Sequence, residues 1–376
     1  MRIKLILVSA LMFATVANSF AQIKVKTDAG DLTMQFNGRT NFDAGTYIVN
    51  DDTVGKQHNG VAMNDTRLGA IAKFDEKWSA KIEICYASKA ISFRDLWIGY
   101  QINENSSVKV GNHFQPYGAK PLGLAYKFVE DATADYAFCP ARKIGASYAY
   151  TSDNLNVTAG LFSDGNVDNG KNIDQGISLA AKIIYRPIID DNTVLHIGFA
   201  PMFVQSPNAI NHTGIIPTTV VTKNLITTGA LANDNYLRLE AEVLFIKDKI
   251  YAEAHYLANK LNNAQVGVDE QGKIIEKGIY LDGFYIQGGY MIKGEKQNYN
   301  KATGLTKSAS PKSLEVLARI SHLNFDDIKA GKQTDVTLGC NYFINKNLNV
   351  KLNYIYAAVK DGDDYHMIQS RLQFSF

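Results

Sequence analysis

Apolar and polar residues alternate one for one along most of this chain, the two-residue period of a β-strand with one face in apolar surroundings. Trp78, Ala80, Ile82, Ile84 and Tyr86 interleave with Ser79, Lys81, Glu83 and Cys85. Leu237, Leu239, Ala241, Val243 and Phe245 interleave with Arg238, Glu240 and Glu242, and Leu348, Val350, Leu352, Tyr354 and Tyr356 with Asn349, Lys351 and Asn353. The last segment follows the same rule. Ile368, Leu372, Phe374 and Phe376 share one parity with Ser370, and Gln369, Arg371, Gln373 and Ser375 share the other. Each run lasts about ten residues, the length a tilted strand needs to cross a bilayer. The pattern predicts strands at 31–43, 62–74, 78–88, 91–102, 106–114, 141–151, 154–163, 173–185, 193–204, 233–246, 249–258, 280–292, 312–323, 333–344, 347–358 and 365–376. That is an even set of sixteen, as an antiparallel barrel with both ends on one side requires, and sixteen strands enclose water instead of a packed core.

A soluble antiparallel sheet also alternates, so three further features decide for a membrane barrel. Many runs end in Tyr, Phe or Trp, and the chain holds 20 Tyr, which suits aromatic girdles at the two interfaces. Tight turns such as 75–77, 152–154, 247–248 and 345–347 alternate with long polar stretches at 47–64, 115–140, 205–233 and 259–279. Charges fall almost wholly on the inward phase, which water reaches only through a channel. One connection breaks the alternation of short and long. Residues 293–311 belong to the short-turn side, yet they are long and carry Lys293, Lys296, Lys301 and Lys307.

At the other end, Arg2 and Lys4 precede a short apolar run from Leu5 to Ala17, and Ser19-Phe20-Ala21 offers small residues before a cut ahead of Gln22. This reads as a secretory leader over residues 1–21, since the run is too short for a spanning helix. The barrel then occupies 22–376. The chain has 39 basic and 37 acidic residues, and losing Arg2 and Lys4 leaves the two equal. A neutral balance argues against a nucleic-acid partner. Cys85, Cys139 and Cys340 are an odd set; parity puts Cys85 on the lumen face and Cys340 on the lipid face, so free thiols are expected. The seven His are scattered, with no metal-binding spacing. His255, inward beside Glu253, reads as solvated pore lining, and neither a metal nor another cofactor is expected.

These same strands resemble the phosphate-selective porin O/P family. The resemblance rests on Phe36-Asn37-Gly38-Arg39, Arg67-Leu68-Gly69, Trp78 to Tyr86, Phe93 to Tyr100, Val108 to Gly111 with Phe114 to Gly118, Phe138 to Gly145, Thr337 to Phe343 and Leu348 to Tyr356. It implies a sixteen-stranded, homotrimeric, passive channel of the outer membrane. It also implies a long external loop folded into the lumen and a long periplasmic turn folded back beside it, which would account for 293–311. It implies selectivity through basic residues along the pore. The positions taken to line it here are Arg39, Arg67, Lys73, Lys81, Lys109, Lys120, Lys127, Arg142, Arg238, Arg319 and Arg371. Asn64, Asp65 and Thr66 stand where further basic residues belong in the family, and Glu130, Asp131 and Asp135 share the constricting loop with the lysines.

On the predicted strands, inward cations are Arg39, Arg67, Lys73, Lys81, Lys109, Lys182, Arg238, Arg319, Lys351 and Arg371, against Glu83, Asp95, Glu240, Glu242, Glu253 and Glu315. The excess of four positive charges predicts a mild preference for anions, with Glu240, Glu242 and Glu253 pairing to Arg238 or a facing Lys. The expected function is passive diffusion of small hydrophilic solutes or anions, phosphate among them, through a porin in outer-membrane lipid. Two rivals stay open: a lipase-like barrel enzyme, which needs a convergent Ser, His and carboxylate, and a plugged structural or adhesive barrel.

Overall fold

The computed structural model describes residues 22–27, 30–48, 59–87, 90–119, 126–165, 175–206, 210, 212–215, 224–362 and 364–376. The predicted leader and Lys120 lie outside the described residues. In chain order the strands are β1 (Gln22–Thr27), β2 (Gly30–Tyr47), β3 (Asn59–Phe74), β4 (Trp78–Ala87), β5 (Ala90–Gln101) and β6 (Ser106–Phe114). After a one-and-a-half-turn helix α1 (Thr133–Phe138) come β7 (Arg142–Thr151), β8 (Leu155–Ser163), β9 (Ile177–Ile189) and β10 (Thr193–Gln205). The short β11 (Thr213–Ile215) and β12 (Asn224–Thr227) precede β13 (Asn235–Lys247), β14 (Ile250–Val268) and β15 (Ile274–Lys293). The short β16 (Tyr299–Asn300) and β17 (Leu305–Thr306) precede β18 (Ser313–Asn324), β19 (Lys332–Phe343), β20 (Leu348–Val359) and β21 (Asp364–Ser375).

Each long strand pairs antiparallel with its sequence neighbour, and β2 closes on β21 from Arg39↔Ser375 to Tyr47↔Met367. The barrel is therefore sixteen-stranded and closed. β1 is a strand that alternation did not predict; it pairs with the first residues of β2, from Gln22↔Gln35 to Thr27↔Gly30. A second difference lies at β14 and β15. Their ladder runs to Val268↔Ile274, so most of 259–279 is hairpin and not loop. Beyond the bilayer neither face needs to be greasy, and alternation loses its cause.

Burial is inverted relative to a soluble protein. On β13, Arg238, Glu240 and Glu242 are buried while Leu237, Val243 and Phe245 are exposed. On β20, Lys351 and Asn353 are buried, whereas Leu352 between them is 53% exposed. Lipid covers the apolar phase, and side chains from the loops cover much of the polar one. Register shifts interrupt several ladders, and two of them fall among β2 to β5. Asp65 adopts φ +55° where β3 passes Thr40 of β2, and Arg94-Asp95 bulge opposite Glu83 between β5 and β4. A bulge adds one residue to one strand, so Arg94 can point inward beside Asp95.

Two connections bond to inward-phase side chains. From loop 115–141, the Val129 amide donates to Asn353 Oδ1 (2.8 Å), Asn341 donates to the Lys127 carbonyl (2.7 Å), and Thr133 donates to Asp335. From turn 294–312, Tyr299 and the Lys301 carbonyl meet Arg186, and Asn156 Nδ2 donates to the Lys301 carbonyl (2.7 Å). The two segments meet at Lys127, whose ammonium reaches Gln297 Oε1 (2.9 Å), Glu315 Oε1 (2.6 Å) and the face of the Tyr251 ring (4.7 Å).

Candidate functional site: the charged lumen wall

Cross-strand pairing stacks the inward charges of β2 to β7 into one network. Arg39 and Arg67 sit opposite each other in the ladder, which would repel were Asp65 not between them, ion-paired to both. Arg67 continues to Glu83 (3.0 Å), Lys81 joins Glu83 (3.0 Å) to Asp95 (2.5 Å), and Arg142 ends the chain on Asp95 (2.6 Å). Asp65 and Asp95, each beside a register shift, both stand inward and place a carboxylate between each pair of cations. Two more cations stand beside the network. Among the described residues Arg94 reaches Cys85 Sγ (3.7 Å), and the Lys109 ammonium lies 4.6 Å from the centre of the Trp97 ring. Lys109 lines a lumen cavity of about 350 Å³ together with Asp95, Ser147, Thr158, Lys182 and Leu305.

The opposite wall is built differently. Glu240 and Glu242 on β13 do not pair with Arg238. Arg238 and Glu242 lie four residues apart on one strand, out of each other's reach, and Lys182 of β9 takes the place instead, at 2.7 Å from Glu242 and 3.7 Å from Glu240. His255 bonds Glu240 (2.9 Å), lies 3.3 Å from Glu242 and stacks on Tyr285 (4.5 Å), while His196 bonds Glu242 (2.9 Å). His255 is thus buried in an ion-pair cluster and is not solvated lining. Glu240, Glu242 and His255 could together hold a cation, but the Lys182 ammonium already fills that role. The Gly118 amide donates to Glu240 Oε2 (2.6 Å) and Lys182 donates to the Gly118 carbonyl (3.0 Å), so the cluster also ties loop 115–141 to the wall. Glu315 is held by Lys127, and Glu253 accepts from Gln287.

The remaining predicted positions divide clearly. Arg371 grips Asp43 (2.7 Å) and the Val129 carbonyl (2.5 Å), and Arg319 donates to the Glu130 carbonyl (3.0 Å) over the Phe128 ring. Both therefore hold the loop. Lys351 does the same, donating to the Tyr126 carbonyl. Lys73 is exposed at the end of β3, away from the network. Arg238 is buried and meets the ring of Tyr236 at 5.0 Å. Sequence parity missed Arg94, which the bulge reorients, and Arg186, which is wholly buried at the end of β9 and bonds the Ser152 and Asp153 carbonyls. The count of inward charges also left out Asp43, Asp65 and Asp335, which share the inward parity and face the lumen. The excess of cations counted from sequence is correspondingly too large. Cys85, Cys139 and Cys340 form no disulfide with one another.

Solved structures with this fold include an outer membrane protein of Vibrio cholerae, OmpT with loop L8 deleted, at TM-score 0.62 and 14% identity over 93% of this chain and 100% of that one. The trimer form of in-vitro folded OmpT from the same organism gives 0.60 and 13% over 92% and 99%. The anion-selective porin from Comamonas acidovorans gives 0.58 and 13% over 92% and 100%. No curated protein matches the sequence significantly. Residues 34–376 match the sequence pattern described as phosphate-selective porin O and P, and the chain belongs to that family of outer-membrane porins.

Proposed function

We propose that this outer-membrane porin passes small hydrophilic solutes passively, with a mild preference for anions set by the β2 to β7 wall. One observation carries the preference: on the β2 to β7 wall the cations outnumber the carboxylates two to one. Away from that wall the charges of both signs are covered, Glu240, Glu315 and Lys351 alike. On the open wall Arg39, Arg67, Lys81, Arg94, Lys109 and Arg142 outnumber Asp65, Glu83 and Asp95. A low-dielectric wall focuses that field into the lumen. Most of these cations are nonetheless paired, which argues for weak selectivity and against a dedicated phosphate pore.

The same reading makes loop 115–141 and turn 294–312 the constriction, since both reach inward side chains and they share Lys127. It treats residues 1–21 as an export leader. It also takes the assembly to be a homotrimer, as in the trimer form of the Vibrio protein, and the channel to be non-enzymatic. The test is the reversal potential of purified protein in a planar bilayer under a KCl gradient at low salt. A potential favouring chloride is expected, and Lys109→Gln should move it toward zero. A wild-type channel favouring potassium would reject the proposal.

A further inference from the structure

The outer half of the lumen holds a second cavity, of about 620 Å³, between loop 115–141 and strands β8, β9, β10 and β13. Arg238 lines it from β13 and is 6% exposed. The Tyr236 ring meets its guanidinium at 5.0 Å. Among the described residues no carboxylate pairs with it, and its Nε is buried without a hydrogen-bond partner. The neighbouring Glu240 and Glu242 are turned to Lys182 and the two histidines. Asp164, on the same cavity, is taken by Lys143 (2.9 Å) and Ser206. A guanidinium cannot shed its proton to escape burial, and a buried charge left unmet is costly.

We propose that this cavity binds a small organic monocarboxylate, with the carboxylate on Arg238 and the apolar body against Met202, Val204 and Tyr236. This rests on the reading that the lumen admits anions. Two features select the ligand class. The two serine hydroxyls deepest around Arg238 are already engaged: Ser178 donates to Gln115 (2.5 Å) and Ser206 to Asp164. His212 donates from Nδ1 to the Ala137 carbonyl (2.8 Å) and accepts at Nε2 from Asn259 (2.6 Å), which fixes it as a neutral ring. The guanidinium fork offers two parallel donors that match the two oxygens of a carboxylate. The cavity's size and its mixed walls also fit a molecule of ten or so heavy atoms, within the roughly 300–1,000 Å³ usual for such sites.

Benzoate serves as the probe, added to the external side of single channels carrying chloride current at low salt. Wild type should lose current with rising benzoate, and Arg238→Met should need at least tenfold more benzoate for the same loss. Arg238→Lys, which keeps the charge and most of the buried stem, should fall between the two and covers the case in which Arg238→Met fails to insert. Benzamide, the neutral isostere, and inorganic phosphate should block far less than benzoate. Equal block by benzamide, or undiminished benzoate block in both Arg238 variants, would overturn the site. The KCl reversal potential separates the two ideas. Chloride preference without benzoate block removes this inference alone, and block without chloride preference removes the selectivity reading alone.

Discussion

Ala146 and Ala149 lie on the same strand and face opposite media. Ala146 is exposed near the middle of β7 on the outer face, while Ala149 lines the lumen cavity. An Arg on the lipid face near the bilayer midplane costs about 2–4 kcal/mol in barrels of this kind, whereas water in the lumen solvates one on the inner face. Ala146→Arg should therefore lower the yield of heat-modifiable, membrane-inserted protein, and Ala149→Arg should insert normally and change conductance. Equal insertion of both on a gel-shift assay would mean that the strand phase is wrong. Leu352→Arg should repeat the outward result on β20. Its neighbour Asn353 is no neutral control, because its Oδ1 accepts the Val129 amide and anchors the loop. Parity alone identifies which way a side chain points, but not what has been packed on top of it. Parity fails outright at bulges, which is why Arg94 was hidden: its position reads as outward, and only the two-against-one register opposite Glu83 turns it in.

At the scale of elements, the tight turns carry their own local chemistry. Asp190 Oδ1 accepts the amides of Asn192 (2.8 Å) and Thr193 (2.7 Å), closing the turn between β9 and β10. Those two backbone hydrogen bonds hold its carboxyl below the usual range. A lowered folded-state value gives stability that is present above the unfolded value, about 3.9 for Asp, and lost as pH falls through the folded one. Asp190→Ala should thus show a slightly lower heat-modification midpoint than wild type at pH 7, and the gap should close in strong acid. A gap independent of pH would assign the effect to turn geometry instead of charge. The sixteen membrane strands were legible in the sequence because lipid on one side and water on the other impose a strict two-residue period. The elements that escaped are those lying outside that contrast. β1 only lengthens the sheet against the start of β2, and the tip of the β14–β15 hairpin rises beyond the bilayer. The inward course of turn 294–312 was suggested by its length and by the family resemblance, since its contacts with Asn156 and Arg186 follow no period.

For the whole molecule the informative quantity is how charge is distributed around the lumen, since the complete chain is close to neutral. Arg67 and Lys81 are the central links of the β2 to β7 network, between them touching Asp65, Glu83 and Asp95. Replacing both with Ala leaves Arg39, Arg94, Lys109 and Arg142 to face the same three carboxylates, so most of the cationic excess on the open wall disappears. Arg39 still pairs with Asp65 and Arg142 with Asp95, which leaves Glu83 as the carboxylate with least compensation, 3.8 Å from Arg142. The double variant should therefore shift the reversal potential toward cation permeation. Its insertion, followed by heat shift, should show whether the exposed Glu83 also weakens the barrel. Screening supplies the control: the Debye length falls from about 10 Å at 0.1 M salt to about 3 Å at 1 M, less than the spacing between the wall and a passing ion. The difference between wild type and variant should be largest in 0.1 M KCl and small in 1 M. If it persists undiminished at 1 M, pore shape and not wall charge sets the preference; if it is absent at 0.1 M, these two residues play no part in selecting ions.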